Sequence, residues 1–454
     1  MKNKFYIFFS IIIIGLSLFL RLYKIENRAP FDWDQNRDYL AISEIVRGKL
    51  TLIGPVAKGE GGFFLGPLYY YLATPAYLFM HGSPLALPVT SVIIGVMTVI
   101  AILFLLRQSL GNNITLAIGT LWSFSWFAIE MSRISWNVSL VPLWSVLVLW
   151  LLTKKEALSL FKVGLLGLIM GLSWHIHAAL IPISLVILLF TWKTWAKDLR
   201  HLVATIVGYT IPLIPLFVFD LRHSGLNVHL LTQMFLASTH ASYSLPELLE
   251  AVMLRLGKNT QSLLFGISSY NLVLGYVVSI LALLVLLFSR GIYRLSGLII
   301  ILNIMAIFAL KEIGFPEYYF AVSYIPTLLI FLGIISYFTK NNTSILLLIT
   351  LFLLFENTQK YSFAETSFSL SRKISVAKEM ISLNSPVDLR FDLAPGREGG
   401  IAAFYKLYGG KLNSDCSLKV IVTDQSEGPI LEGGELTTVI GNFGGIRVAK
   451  LIVK

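Results

Sequence analysis

Apolar residues in this chain come in long blocks. Blocks of about 17 to 25 such residues are long enough to cross the hydrocarbon core of a bilayer as helices. They lie near 5–22, 84–106, 113–130, 137–153, 159–174, 178–192, 201–219, 262–289, 295–311, 319–338 and 343–356. A shorter block, Gly66 to Met80, is aromatic as well as apolar and holds Pro67 and Pro75. It reads either as one more span or as a helix lying at the interface.

Basic residues choose between these readings, because short cytoplasmic loops collect Lys and Arg. With Lys2 and Lys4 inside and Gly66–Met80 not crossing, the inner loops carry Arg107, then Lys154 and Lys155, then Lys193, Lys197 and Arg200, then Arg290 and Arg294, then Lys340. The opposite loops hold Arg133, the His175/His177 pair, the stretch Asp220–Lys258, and Lys311 to Glu317, all mixed or nearly neutral. Counting Gly66–Met80 as a span inverts every later loop. It is therefore read as flat on the outer interface, which gives about eleven spans. The first block has no small-residue cleavage pattern and ends in Arg21-Leu22-Tyr23-Lys24, so it reads as a retained helix.

Past Tyr361 the pattern changes to short elements with charges of both signs. It reads as helix (Ile374–Leu383), strand (Val387–Asp392), helix (Gly400–Tyr408), strand (Leu418–Thr423) and a final strand pair, Leu436–Asn442 and Gly445–Val453, joined at a Gly444-Gly445 hairpin turn. The chain thus divides into a transmembrane part, 1–357, whose outer loop 23–84 carries the interfacial segment, and a small soluble α/β domain, 358–454. Both the loop and the domain fall outside. This describes a multi-pass protein of the plasma (inner) membrane with a cytoplasmic N-terminus and an extracytoplasmic C-terminal domain.

Composition agrees. Hydrophobic residues make up 56% and charged residues 13% of the chain, at a mean hydropathy of +0.76, against about 25% charged in soluble domains. The net charge of +11 comes without a basic run interleaved with aromatics, so it reflects topology and not nucleic-acid binding. The single cysteine, Cys416, has no partner for an internal disulfide. No glycine loop with Lys-Ser/Thr is present, which argues against energy from nucleotide hydrolysis.

The polar chemistry gathers at the outer level. Directly after the first block stands Phe31-Asp32-Trp33-Asp34-Gln35-Asn36-Arg37-Asp38; further on come Lys58, Glu60, the Tyr69–Tyr71 triplet, Glu130 to Asn137, His175/His177, Asp220 to His223 and Lys311 to Tyr319. A carboxylate at that depth can serve as a general base, and a neighbouring arginine can hold a lipid phosphate by a two-pronged contact. Simpler readings stand beside these. The tyrosines can be interface-belt aromatics, and Arg133 can snorkel to the headgroups. Asp32 can cap a helix from about Asp34 to Arg47. His175 and His177 point in different directions, so at most one faces a site, and His175 reads as packing. The three aspartates can hold a hard divalent cation, yet nothing has the spacing of a dedicated cage.

The first helix, the Trp33-Asp34-Gln35 motif after it, Pro67-Leu68-Tyr69-Tyr70 and the Ser132-Arg133 turn, in this order, resemble the membrane glycosyltransferases of the GT-C fold. The nearest resemblance is to glycosyltransferase family 39, which includes the protein O-mannosyltransferases and the lipid A aminoarabinose transferase. It covers about the first 140 residues. It implies transfer of a sugar from a polyprenyl-phosphate donor to a protein, lipid or glycan acceptor, usually with inversion. Asp34 matches the family's motif aspartate, whereas Gln35 replaces its glutamate, and Leu65-Gly66-Pro67-Leu68 lacks the histidine and first proline of its His-Pro-Pro-Leu element. On this reading Asp34 is the base, with Asp32 or Asp38 shaping the site. Arg133, Lys58 and Arg37 hold the donor phosphate, Glu60, Tyr69, Tyr70 and His177 line the substrate, and no metal ligand is assigned. A transporter or flippase of a lipid-linked or anionic substrate is the alternative; its charges would lie near the midplane on broken helices. A scaffold anchored in the membrane would need only one or two spans.

Overall fold

A computed structural model of the protein describes residues 2–57, 61–153, 159–238, 243–414, 416, 418–424 and 436–452. Each apolar block is helical over most of its length, and the helices pack into a bundle with a small four-stranded sheet at one end. Among the described residues five helices are long and apolar enough to cross a bilayer: Asn3–Leu22, Ala86–Leu105, Leu199–Arg222, Gly291–Ala309 and Glu317–Phe338. Asn112–Phe124 and Trp126–Arg133 together make a sixth, bent by 58° at Ser125. Shorter apolar helices occupy the remaining blocks.

Val203, Val207, Ile211 and Ile214 form an exposed stripe along Leu199–Arg222, and Phe5, Phe8 and Ile12 do the same on the first helix. Stripes of this kind need an apolar solvent. Between helices, where burial of apolar surface drives little association in lipid, small residues bring backbones together. A Cβ on Gly208 would stand 2.1 Å from the Gly164 carbonyl oxygen, and one on Gly257 would stand 1.7 Å from that of Asn271.

The Gly257 contact belongs to a feature that hydropathy hides. The stretch Asp220–Lys258, expected to be an outer loop, holds two helices, Leu226–Ser238 and Leu245–Phe265. The second opens on a Ser244/Glu247 capping box and ends at Gly266 in the left-handed region, at φ 67°. Glu247, Glu250, Arg255 and Lys258 lower its hydropathy, while Leu248, Val252 and Leu256 bury its other face. It runs antiparallel to Leu272–Phe288, so the expected single span 262–289 is broken between Gly266 and Asn271.

Leu68–Phe79, within Gly66–Met80, has 12 residues, about 18 Å of helix and too short to cross. It packs between Trp33–Val46 and Ala86–Leu105. The C-terminal part has all six expected elements: helices Leu370–Ser382 and Ile401–Leu407, and strands β1 (Asp388–Asp392), β2 (Lys419–Thr423), β3 (Leu436–Phe443) and β4 (Ile446–Ile452). The strand order is β1-β2-β4-β3, with β1 parallel to β2 and the other pairs antiparallel. Phe443 pairs with Ile446 across Gly444 and Gly445, whose positive φ angles of 62° and 105° supply the two-residue turn.

This domain sits on the start of the motif segment. Pro30 bridges Ser369, the Leu370 amide donates to the Ala29 carbonyl at 2.9 Å, and the Phe31 and Phe404 rings meet edge to face at 4.8 Å.

Candidate active site

The motif becomes the first turn of helix Trp33–Val46, with Asp32 at its N-cap. Gln35 Oε1 accepts from the Asp32 amide at 3.0 Å, and its Nε2 donates to the Ser135 carbonyl at 3.0 Å. A glutamate at position 35 would accept the first bond and have no proton for the second. The glutamine at this position thus has a structural reason: Gln35 fastens this helix start to the turn after Arg133.

Helical spacing separates the three aspartates. Gln35, Asp38, Tyr39, Ile42 and Ile45 form the buried stripe, and Asp34 and Arg37 look out beside it. Arg37 donates to Asp34 Oδ1 at 2.7 Å and, from Nη2 and Nε, to Asp38 Oδ1 at 2.7 and 2.9 Å. Asp34 is half exposed, at 53%, whereas Asp38 is fully buried. Burial pushes the Asp38 carboxyl up to about 6, against the pull of Arg37. Burial works against the Arg37 charge as well, but Asp38 and Asp34 outweigh it and hold the guanidinium protonated. Tyr70 is buried close enough to interact with both members of the pair.

Asp34 and Arg37 line a small pocket of about 70 Å³ closed by Trp136, His177, Tyr318 and Tyr319. His177 Nδ1 accepts from the Ala179 amide at 3.2 Å, which leaves Nε2 to carry the proton of the neutral ring. Its ring stands edge-on to Tyr318 and Tyr319. Lys258, donating to Glu317 at 2.7 Å, holds the start of the Glu317–Ser323 turn that carries both tyrosines. On the other side of Asp34 a cleft of about 420 Å³ opens between Asp32 to Gln35, Trp136 and the Pro395–Arg397 loop of the C-terminal domain. Asp34 and Trp136 face both spaces.

Arg133 and Tyr69, also expected at the site, lie elsewhere. Arg133 is buried away from the pocket. Its guanidinium donates to the carbonyls of Leu20, Arg21 and Tyr23, at 2.7, 3.2 and 3.0 Å, and to Glu130 at 2.6 Å. It caps the C-terminal end of the first helix, whose last carbonyls have no helical donor. Arg21 performs the reciprocal service: the bend at Ser125 frees the Trp122 and Ser123 carbonyls, and Arg21 donates to both. Truncating Arg133 would orphan buried carbonyls at about 1–3 kcal/mol each, a defect of folding.

Tyr69 is core, with its hydroxyl 2.9 Å from Ser91. His175 packs over Gly66 and bonds to the Pro212 carbonyl at 2.6 Å, as its packing role requires. Lys58 and Glu60 lie outside the described residues. Among the described residues no three His, Cys, Asp or Glu side chains gather to hold a metal, and Arg37 stands between Asp34 and Asp38.

No family model matches the chain, and no curated protein matches it in sequence. Among solved structures, ArnT from Cupriavidus metallidurans bound to undecaprenyl phosphate superposes with a TM-score of 0.62 at 11% identity, over 97% of each chain. The apo form of ArnT gives 0.58 at 11% identity, over 99% of this chain and 98% of its own. The chain has the GT-C fold. The match runs end to end, so the helix bundle and the small C-terminal sheet are both part of the shared fold.

Proposed function

We propose that this protein transfers a sugar from a polyprenyl-phosphate carrier to a protein, lipid or glycan acceptor at the outer face of the plasma membrane, with inversion at the anomeric carbon. The observation that carries this reading is the position of Asp34, half exposed between a small pocket and a large cleft with Arg37 in contact. The likeness to ArnT bound to undecaprenyl phosphate supports a lipid phosphate as the group that enters. On this reading the small pocket takes the phosphate, beside Arg37 and the Nε2–H of His177, and the cleft takes the acceptor.

The acceptor heteroatom bonds to the anomeric carbon and gives its proton to Asp34. The anomeric C–O bond breaks, and its electron pair leaves on the polyprenyl phosphate, whose charge Arg37 meets. In the resting site Arg37 is shared between two aspartates. Phosphate arriving at the guanidinium competes with Asp34, which turns the freed carboxylate towards the acceptor, while the buried pair with Asp38 keeps Arg37 in place. Deleting the gene should raise one polyprenyl-phosphate sugar several-fold in lipid extracts and remove the same sugar from surface glycans or glycolipids, read by mass spectrometry. An unchanged lipid-linked pool with an unchanged surface would overturn the proposal.

Asp38 adds a pH dependence. Its folded value lies above its ordinary 3.8, so the folded state holds a proton that the unfolded state has lost. Stability therefore falls as pH rises from about 4 to about 6 and is flat above. The charged pair that positions Arg37 exists above about 6. Transfer should accordingly rise with pH through an inflection near 6, and Asp38→Asn should remove that inflection and leave the low-pH rate at every pH. An unchanged profile in the variant would show that Asp38 does not set it.

A further inference from the structure

Lys373 is the one fully buried lysine among the described residues. It lies on helix Leu370–Ser382 of the C-terminal domain, and its ammonium donates to the Phe31 carbonyl, to Asp32 Oδ1 at 3.0 Å and to the Gly399 carbonyl at 2.8 Å. All three ammonium protons are thus used, two of them on the residues that open the motif helix. A buried ammonium is expensive unless it is paired, and apolar side chains hold two surfaces together as well or better. Here the apolar contact already exists, in Phe31 against Phe404. The charge therefore has a task beyond adhesion.

The loop it grips presses on the same backbone. A Cβ on Gly399 would stand 2.7 Å from the Asp32 carbonyl, and Gly396, at φ 90°, lies under the Trp33 side chain. Glycine at both positions lets Pro395–Gly400 sit flush on the motif. The same loop carries Arg397 to the rim of the large cleft, where it faces Asp424 at 3.4 Å and stacks on Phe368 at 4.5 Å. Asp34 is two residues from Asp32, within the same helical turn, so its direction follows the seat of the N-cap.

We infer that Lys373 is a positioning residue: by clamping Phe31 and Asp32 to the glycine-rich loop Pro395–Gly400, the C-terminal domain sets the orientation of Asp34 and forms one wall of the acceptor cleft. This rests on the reading of Asp34 as the base. The domain is then a working part of the site, and the distance from Lys373 to the chemistry is bridged by one helix start.

The test uses the full-length protein with Lys373→Met, Lys373→Arg, and Phe404→Leu as a loosened apolar interface that keeps the charge. Turnover is read as release of polyprenyl phosphate in membranes of gene-deleted cells, which hold the native donor and acceptor. Amide exchange of residues 32–37 is read on purified protein. Lys373→Met should lower turnover by about 30-fold or more with little change in apparent KM for the donor, in line with the cost of about an ångström of misplacement. It should also speed exchange at residues 32–37 by about tenfold. Lys373→Arg should recover most of both, and Phe404→Leu should move neither as far. Equal losses in Lys373→Met and Phe404→Leu, or a Lys373→Met protein that matches wild type in exchange and turnover, would overturn the inference. Full activity in Asp34→Asn together with fast exchange in Lys373→Met would instead sink the proposed function and leave the clamp standing.

Discussion

Asp34→Asn should lower sugar transfer by about 10²- to 10⁴-fold, the usual contribution of a positioned general base, and leave the fold almost untouched. Two features make this separation sharp. Asp34 is half exposed, and its contact with Arg37 is of the surface type, worth about 0–1 kcal/mol. Asparagine keeps the shape and can still accept from Arg37, so the pocket keeps its geometry and loses only its proton acceptor. Release of polyprenyl phosphate in membranes and the thermal midpoint of the purified variant check the two halves of this expectation. Transfer within tenfold of wild type would remove Asp34 from the chemistry; a large fall in midpoint would make it a structural residue.

The membrane part of the fold was legible because a bilayer imposes a local rule: a block of sufficient length must be helical to satisfy its own backbone. The rule fails where charge and burial share one helix. Leu245–Phe265 looks polar on average because Glu247, Glu250, Arg255 and Lys258 sit on it, although Leu248, Val252 and Leu256 make a buried stripe. Its capping box and Gly266 were the signals that could have revealed it.

The site divides along the same line. Asp34, Arg37 and Asp38 lie within five residues: Asp34 and Arg37 meet at i,i+3 spacing, and the long Arg37 side chain reaches across to its neighbour Asp38. The resemblance assigns Arg133 to the donor phosphate through the Ser132-Arg133 turn, but in the fold its guanidinium is taken up by Glu130 and by carbonyls at the end of the first helix, more than a hundred residues away in the sequence. Lys373 gave no signal, since a lysine on an amphipathic helix is unremarkable until Phe31 and Asp32 arrive from the other end of the chain. The glycines at 396, 399 and 400 were the only trace of that meeting in the sequence.

Arg37→Ala should cost about 10²- to 10³-fold in turnover, the scale of removing one donor from a developing negative charge. The single variant also leaves Asp38 buried without its partner, and breaking such a pair costs about 3–5 kcal/mol when the remaining charge has no escape. Asp38 does have one, because burial already raises its carboxyl to about 6 and loss of Arg37 raises it further. It will take up a proton, and the fold will lose less at acid pH than at neutral pH. Adding Asp38→Asn removes the stranded charge altogether. The double variant should therefore recover the thermal midpoint lost by Arg37→Ala and recover none of the turnover, whereas Arg37→Lys should keep the charge without the fork that spans Asp34 and Asp38, and fall between. Recovery of transfer in the double variant would mean that the phosphate meets a cation other than Arg37; recovery of stability alone ties the guanidinium to the chemistry and Asp38 to holding it there.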